Sequence, residues 1–237
     1  MAIAVMAAME EELVFLRQQL VFEQVYKKGP LVLQKGFYKE IPLFVVQSGI
    51  GKANAAMAAA ALLERNRPGA LVQVGTAGGL GENLLVGGLV VGTEALYSDI
   101  DATCFGYQPG QVPQMPPRYL ADPKLLKVAR AAAQKANLAH GVCFGPILTS
   151  DSFMHSPERV AAVKGAFPGA KASDMEGAAA AQVAFAYGVP YLNIRAVSDL
   201  AGQNAAQSFR ANLSLAAQNA AAFFLQWLKA ANTKTFQ

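Results

Sequence analysis

The sequence predicts an α/β protein in which helices flank a mixed central sheet. The chain has 237 residues, of which 53% are apolar and 15% are charged, so it can bury a large core and is not a disordered protein. Short β-rich apolar runs alternate with longer alanine-rich segments of helical period, which is typical of strands with covering helices. No internal repeat or low-complexity linker interrupts this alternation, and we therefore expect one domain over residues 1–237.

The individual elements follow from the period of the apolar residues. Short apolar runs predict strands at 2–8, 31–37, 41–47, 70–75, 86–93, 141–148, 170–174 and 190–197. Longer segments with three-to-four spacing predict helices at 10–20, 52–66, 122–136, 156–164, 175–187 and 206–230. The alternation of the two types favours a largely parallel sheet.

Two local signals refine this order. The helix predicted at 10–20 begins directly after the initial apolar run, and Glu10 and Glu11 are acidic residues of the kind that favour the positive end of a helix. The runs 31–37 and 41–47 are joined only around Lys39-Glu40, a connection short enough for an antiparallel hairpin. The sheet is therefore expected to be mixed.

Two charge-free stretches, 177–194 and 211–228, approach the length of a membrane span. Gly188 and Pro190 interrupt the first stretch, whereas the second carries several Asn, Gln and Ser residues. The apolar residues of the second stretch keep three-to-four spacing, which is typical of an amphipathic helix docked on a core. We expect neither stretch to enter a membrane.

Charge and cysteine usage narrow the function classes further. The net charge is only +4, and the basic residues are scattered singly, so we expect no nucleic-acid partner. Cys104, Cys143, His140 and His155 do not have the spacing of zinc ligands, and no metal is expected. Reduced thiols and an apolar start without a basic leader predict a cytoplasmic protein.

Glycine and polar residues follow several predicted strands, at 48–51, 75–79, 150–153 and 198–199. Ligands of open α/β sheets bind outside the carboxyl ends of the strands, so we expect these segments to converge on one crevice. The glycine segments match neither a phosphate-binding P-loop nor the GxGxxG dinucleotide motif. Nucleotide binding is therefore weakly supported, and composition alone favours tight turns between strands and helices as the explanation of these glycines.

The longest irregular stretch, 98–118, contains several prolines. A loop of this length within a compact domain usually has a function, and it predicts a lid, a binding loop or a subunit contact.

Glu12, Glu176 and Asp199 are acidic residues that lie near the ends of predicted strands in apolar surroundings. Helix capping explains each of them as well as function does, but the three together favour a site. Arg195 lies near the end of an apolar strand, where an unpaired charge is costly, so we expect it to have a carboxylate partner. A purely structural role for Arg195 stays open.

Phe153, Met175 and Phe209 are either core residues or surfaces on which a flat ligand stacks. The chain contains neither a GxSxG elbow nor a Ser-His-Asp order, so hydrolysis by a catalytic triad is not expected.

Several strings resemble the bacterial 5′-methylthioadenosine/S-adenosylhomocysteine nucleosidases of the nucleoside phosphorylase superfamily, in the same order and spacing over nearly the whole chain. They are Ala8-Met9-Glu10-Glu11-Glu12, Ser48-Gly49-Ile50-Gly51-Lys52-Ala53-Asn54-Ala55-Ala56, Gly75-Thr76-Ala77-Gly78-Gly79-Leu80, Phe105-Gly106-Tyr107 with Gly110-Gln111 and Pro113, Asp174-Met175-Glu176, and Arg195-Ala196-Val197-Ser198-Asp199.

The resemblance implies a single-domain nucleoside-phosphorylase-like fold and a homodimer. It also implies irreversible hydrolysis of the N-ribosidic bond of a small-molecule adenine nucleoside, without a metal or an organic cofactor. Water is the nucleophile in this reaction.

Residue roles are implied where the strings match. Glu12 would orient and deprotonate the attacking water, with Arg195 and Thr76 nearby. Glu176 would accept hydrogen bonds from the ribose hydroxyls, and Asp199, supported by Ser198, would act on N7 of the leaving adenine. The other implied contacts are Met175 on the sugar, Phe153 on the purine, the backbone of Met154 at the purine edge, Ile50, Gly78 and Phe209 in the pocket wall, and Phe105 and Pro113 from the partner subunit over the 5′-alkylthio group.

The resemblance leaves alternatives open. Phosphorolysis is disfavoured because the phosphorylases commonly carry Arg where this chain has Gln73, and because the carboxylates of 10–12 would repel phosphate. An aminodeoxyfutalosine nucleosidase and a nucleoside-binding module without turnover remain alternatives. The chain departs from the family pattern at Asp174, where Glu is usual, at Thr76, where Ser is usual, and at Ser150, where Gly is usual. None of these departures removes an implied catalytic group, but they bear on the purine and ribose pocket. The preference at the 5′ position also stays open.

Overall fold

The computed structural model describes residues 2–28, 31–136, 140–202 and 204–231. The helices are α1 (Glu10–Arg17), α2 (Lys52–Asn66), α3 (Pro123–Lys135), α4 (Pro157–Ala166), α5 (Gly177–Tyr187) and α6 (Ala205–Ala230). The strands are β1 (Ile3–Ala7), β2 (Val21–Lys28), β3 (Leu31–Tyr38), β4 (Ile41–Gln47), β5 (Ala70–Gly79), β6 (Leu89–Tyr97), β7 (Tyr119–Leu120), β8 (Val142–Thr149), β9 (Ala172–Asp174) and β10 (Tyr191–Leu200).

All these strands belong to one sheet, in the order β10-β6-β8-β9-β5-β1-β4-β3-β2, with β7 paired to β6. An additional pairing joins β10 to β5, so the part of the sheet from β10 to β5 closes into a ring. The predicted α/β class with a mixed sheet is confirmed. The expectation of a largely parallel sheet is wrong, because antiparallel pairs (β2–β3, β3–β4, β5–β9, β6–β7 and β6–β10) are as frequent in the described residues as parallel ones.

The central strand β1 shows how the sheet separates two layers of helices. Ile3, Val5 and Ala7 belong to the core cluster that contains apolar residues of α1, α3 and α6. Ala4 and Met6 belong to a second cluster with α2 and α5. Side chains alternate across a strand, so five consecutive buried residues fill both layers.

The predicted hairpin is confirmed, since β3 and β4 pair in antiparallel fashion from Tyr38–Ile41 onward. The sequence reasoning missed β2, an edge strand with a largely exposed surface and several charged residues. An edge strand buries too little surface to show a clear apolar period. The two-residue strand β7 was missed as well.

The strands β5 and β10 are longer than predicted. The segments 75–79 and 198–199, expected to follow their strands, lie within β5 and β10. The two strands pair in parallel as far as Gly79 and Leu200, with an irregularity between Val197 and Asp199. Backbone hydrogen bonds between neighbouring strands thus overcome the local preference of glycine for turns.

Within the described residues, no helix has the length and apolar character needed to cross a membrane.

Candidate active site

A cavity of about 340 Å³ opens where β5 and β10 meet the first turns of α1 and α6. It brings together all the segments that were expected to converge. Its lining residues are Ala8, Met9, Glu12, Ile50, Thr76, Ala77, Gly78, Phe153, Ser173, Asp174, Met175, Glu176, Ser198, Asp199, Ala206, Phe209 and Arg210. Four of them are carboxylates, Glu12, Asp174, Glu176 and Asp199, so the cavity is acidic.

Glu12 extends from the first turn of α1 into the cavity and is 2% exposed. Its Oε1 accepts hydrogen bonds from Thr76 N at 2.7 Å and Thr76 Oγ1 at 3.0 Å. Its Oε2 accepts from Ala8 N at 3.0 Å and Met9 N at 3.2 Å. These four donors hold the carboxylate in one orientation.

Gly75 allows the side chains of Glu12 and Arg195 to lie close to the backbone of β5. A Cβ at this position would lie 2.6 Å from both Arg195 Nη1 and Glu12 Oε1. Any larger residue at position 75 would therefore displace one of the two charged groups.

Arg195 is fully buried on β10 behind the cavity and does not line it. Its Nη2 lies 2.8 Å from Asp174 Oδ2 and 3.5 Å from Glu176 Oε2. Its Nε donates to Asn193 Oδ1 at 3.0 Å. The expected carboxylate partner is thus present, and the guanidinium is neutralised by two carboxylates.

Asp174 organises this charged cluster. Its Oδ1 accepts from Thr149 Oγ1 at 2.6 Å and from Gly177 N at 3.0 Å. Its Oδ2 accepts from Asn193 Nδ2 at 2.9 Å in addition to the Arg195 contact. Asp174 therefore provides the buried carboxylate partner of Arg195.

Glu176 precedes α5 and is 4% exposed. Burial raises the pKa of its carboxyl to about 7, although Arg195 opposes this shift, and the negative charges of Asp174 and Glu12 add to it. Its Oε1 accepts a hydrogen bond from Gly51 N at 2.9 Å, which favours the ionised form. The carboxylate faces the cavity with one oxygen directed to α2 and the other to Arg195.

Asp199 has a different environment from Glu12. It is 1% exposed, and its Oδ2 accepts a hydrogen bond from the Ser198 hydroxyl at 2.9 Å. Burial raises the pKa of Asp199, and the Ser198 hydroxyl only partly opposes the shift. A proton on Asp199 is consequently easier to keep near neutral pH than on an ordinary aspartic acid.

The apolar wall of the cavity is formed by Phe153, Met175, Phe209 and Ile50. The rings of Phe153 and Phe209 meet edge to face, with centroids 5.9 Å apart. Both rings face the cavity, where a flat ligand can contact them.

Besides Arg195, three predicted site residues do not line the cavity. The side chain of Met154 packs in the core cluster of Leu80 and Leu148, and Met154 borders a small cavity that shares Gly78, Phe153 and Asp199 with the main one. Phe105 and Pro113 do not line the cavity, and Phe105 is 81% exposed in the stretch 98–118. A role in this site therefore requires them to come from another subunit.

Sequence reasoning missed several lining residues, of which Arg210 is the most informative. Among the residues that the structure describes, it is the one cationic side chain that lines the cavity. It lies four residues after Ala206 on α6, a spacing that puts both residues on one face of the helix. Because Ala206 was not predicted as a site residue, the sequence offered no specific signal for Arg210. Within the described part of the chain, no group of His, Cys, Asp and Glu is suited to hold a metal ion.

Comparisons with known proteins agree with this architecture. The family model of the phosphorylase superfamily matches residues 2–229. The 5′-methylthioadenosine/S-adenosylhomocysteine nucleosidase of Geobacillus thermodenitrificans is 41% identical over 238 residues, covering 100% of both chains.

Solved structures are similar over the same length. The nucleosidase of the same name from Neisseria meningitidis, in complex with methylthio-immucillin-A, superposes with a TM-score of 0.94 and 38% identity, covering 97% of this chain and 99% of that one. The futalosine hydrolase of Helicobacter pylori superposes with a TM-score of 0.90 and 28% identity, covering 96% of this chain and 97% of that one.

Proposed function

The chain belongs to the phosphorylase superfamily, and from this premise we propose that it hydrolyses the N-ribosidic bond of 5′-methylthioadenosine and S-adenosylhomocysteine. The products are adenine and the 5′-thioribose. The observation that carries the proposal is the placement of two unlike carboxylates in one cavity. Glu12 has four hydrogen-bond donors, whereas Asp199 is buried with one hydroxyl donor and a raised pKa.

The two carboxyl environments match the two groups that become charged in the reaction, the sugar and the leaving base. Cleavage of a ribosidic bond develops positive charge on the sugar and negative charge on the leaving base. Asp199 donates a proton or a hydrogen bond to N7 of adenine as the bond from N9 to C1′ breaks. Glu12 orients a water toward C1′ and accepts its proton, so that the water oxygen forms the new bond to C1′.

Glu176 and the apolar wall hold the sugar and the base. The ionised Glu176 accepts hydrogen bonds from the ribose 2′- and 3′-hydroxyls, while Met175 packs on the sugar. Phe153 stacks on the purine, and Ile50, Thr76, Gly78, Ser198 and Phe209 complete the pocket. Arg195 acts from behind the cavity by holding Glu176.

The charges in the site favour water over phosphate as the nucleophile. Four carboxylates line the cavity, and the buried guanidinium of Arg195 is already paired with Asp174 and Glu176. A phosphate dianion next to Glu12 would meet like charge in a poorly solvated site. Gln73, the residue at the position of the phosphorylase Arg, is fully buried and accepts the Tyr191 hydroxyl at 2.8 Å.

A homodimer completes the proposed site. Ile50 lines the cavity yet is 50% exposed, and Phe105 is an exposed aromatic residue on the irregular stretch 98–118. A second copy that brings Phe105 and Pro113 over the 5′ end of the cavity would bury these surfaces. Phe105→Ala is then expected to raise the KM for methylthioadenosine, and light scattering of the wild type to give twice the chain mass.

The free thiols of Cys104 and Cys143 support a cytoplasmic location. There, removal of adenine from methylthioadenosine leaves a methylthioribose that retains the methylthio group, so we place the reaction in methionine salvage. No metal or organic cofactor is required for the proposed steps.

An aminodeoxyfutalosine nucleosidase is the second candidate, supported by the similarity to the futalosine hydrolase of Helicobacter pylori. The two candidates share the adenine and ribose contacts and differ at the 5′ end. Rates on methylthioadenosine, S-adenosylhomocysteine and 6-amino-6-deoxyfutalosine separate them. A rate on the last compound far above the other two would overturn the main proposal.

The deciding experiment measures adenine release from methylthioadenosine with and without phosphate. We expect free methylthioribose in both cases and a rate independent of phosphate. Formation of the 1-phosphate would instead identify a phosphorylase, and tight nucleoside binding without adenine release would identify a binding module.

A further inference from the structure

The start of α2 lies at the edge of the cavity and has no cap of its own. Gly51 is the N-cap residue, and no side chain of α2 accepts the first free N–H groups. Such groups need acceptors from elsewhere in the chain. Gly51 N donates to Glu176 Oε1 at 2.9 Å, and Lys52 N donates to Asp151 Oδ1 at 2.8 Å.

The conformation of Gly51 explains why the chain does not cap this helix locally. Its φ is +96°, in the region that favours glycine, and a Cβ there would lie 3.1 Å from Asp151 Oδ1. A serine or aspartate that could cap the helix locally would be strained at this position. A carboxylate from a distant segment therefore replaces the missing cap.

Asp151 is itself anchored. Its backbone N donates to Asp99 Oδ2 at 2.9 Å, and Lys52 Nζ lies 2.7 Å from the same oxygen. Lys52 Nζ also lies 3.9 Å from Asp151 Oδ2. A charged cluster of Lys52, Asp99 and Asp151 therefore lies outside the cavity and joins three separate segments of the chain.

We propose that Asp151 is a positioning residue of the active site, which caps α2 from a distance and thereby keeps Gly51 N–H on Glu176 and Ile50 in the cavity wall. Asp151 does not line the cavity, so it acts through Gly51. The inference rests on the proposed function in one respect, namely that Glu176 holds the ribose.

The contact from Gly51 affects the charge state of Glu176. The charged groups that face Glu176 are Arg195, which favours its ionised form, and Asp174 and Glu12, which oppose it. The Gly51 N–H adds to the effect of Arg195. Loss of this donor removes one of the groups that counteract the effect of burial, so the pKa of Glu176 rises further. A larger fraction of the enzyme then carries a protonated Glu176, which accepts hydrogen bonds from the ribose hydroxyls less well.

The first test compares Asp151→Ala with a matched cap elsewhere. Asp122 caps α3 by accepting from Lys124 N and Leu125 N, and it does not line the cavity, so Asp122→Ala removes an equivalent cap without touching the site. Hydrogen–deuterium exchange of segment 49–57 is expected to be at least about 3-fold faster in Asp151→Ala and unchanged in Asp122→Ala. Unchanged exchange in Asp151→Ala would overturn the inference, and the measurement requires no substrate, so it separates this failure from failure of the proposed function.

The second test measures kcat/KM for methylthioadenosine across pH. Asp151→Ala is expected to lower kcat/KM at pH 7 by about 5- to 10-fold, the factor that corresponds to loss of one helix cap. The acidic limb of the pH profile of kcat/KM is expected to move to higher pH in Asp151→Ala. Asp151→Asn keeps an oxygen that can accept from Lys52 N and should stay within about 3-fold of the wild type, with its acid limb in place. An unmoved acid limb in Asp151→Ala would contradict a route through Glu176.

A double-mutant cycle with Glu176→Gln completes the test. If Asp151 acts through Glu176, Asp151→Ala should change kcat/KM by less than about 2-fold in the Glu176→Gln background. An equal fall in both backgrounds would show that Asp151 acts elsewhere, for example through the neighbouring Phe153, and would refute the inference. If Asp151→Ala does not fold, Asp99→Ala, which releases the backbone of Asp151 at the surface, carries the same cycle with a smaller expected fall.

Discussion

Replacement of Glu12 by Gln tests both the chemistry and the geometry of the site. The carboxylate has four donors, two on each oxygen, and the amide of Gln can offer an acceptor to only one pair. The favoured orientation turns the new NH₂ group toward Thr76, because its hydroxyl can rotate to accept while Ala8 N and Met9 N keep their acceptor. Only Thr76 N is then left without an acceptor.

The expected magnitudes follow from this geometry. One buried N–H without an acceptor costs about 1–3 kcal/mol, which lowers the Tm of a chain of this size by about 2–6 °C. Loss of the base is expected to reduce kcat by at least about 10²-fold, or about 2.7 kcal/mol in activation free energy. The variant should therefore stay folded at 25 °C while turnover nearly disappears.

The assay measures adenine release from methylthioadenosine, with thermal unfolding followed by circular dichroism on the same samples. Glu11→Gln is the matched control, because Glu11 is an exposed carboxylate in the same helical turn and does not line the cavity. We expect Glu11→Gln to resemble the wild type in both measurements. A kcat of Glu12→Gln within 10-fold of the wild type would refute the assignment of Glu12 as the base.

The other predictions concern the remaining charged groups of the cavity. Asp199→Asn should lower kcat on methylthioadenosine by at least about 10²-fold, because the amide cannot supply a proton to adenine, and a near-normal kcat would remove that role. The pKa of Glu176 is about 7 in the folded protein against an ordinary 4.5, so the folded state holds an extra proton between these values and loses stability as the pH rises through them. The Tm of the wild type relative to Glu176→Gln should accordingly decline from about pH 5 to pH 7, and a constant difference would contradict the raised pKa. Arg210→Ala should lower kcat/KM about 3- to 10-fold for S-adenosylhomocysteine, whose tail carries a carboxylate, and less than 2-fold for methylthioadenosine; equal changes on both substrates would exclude charge recognition.

Elements with a strong local period were predictable from the sequence. The helix expected at 52–66 is observed with the same bounds as α2, and the strand expected at 41–47 is β4. The buried residues of α2 recur at three-to-four spacing, whereas β4 is a short apolar run, and these two patterns distinguish a helix from a strand. β2 was missed because an edge strand exposes most of its side chains and shows no such pattern.

The candidate site was predictable in its residue types but not in its contacts. Glu12, Glu176 and Asp199 stood out as acidic residues in apolar surroundings, and the structure places all three at one cavity. Arg210 was overlooked because a single arginine on an amphipathic helix looks like an ordinary exposed residue. Asp174 was noticed only as a departure from a motif, although it holds the buried guanidinium of Arg195.

By itself, the sequence determined the periodic elements, the mixed sheet and the acidic residues available for chemistry, because these depend on side-chain type and near-neighbour spacing. Tertiary structure alone decided which groups meet. Thr76 N reaches Glu12 across 64 residues of chain, and Gly51 N reaches Glu176 across 125. Such contacts depend on how β5, β10 and β1 pair within the sheet and how α1, α2 and α5 pack against it. The charge states of Glu176 and Asp199 depend in turn on the burial that this packing produces.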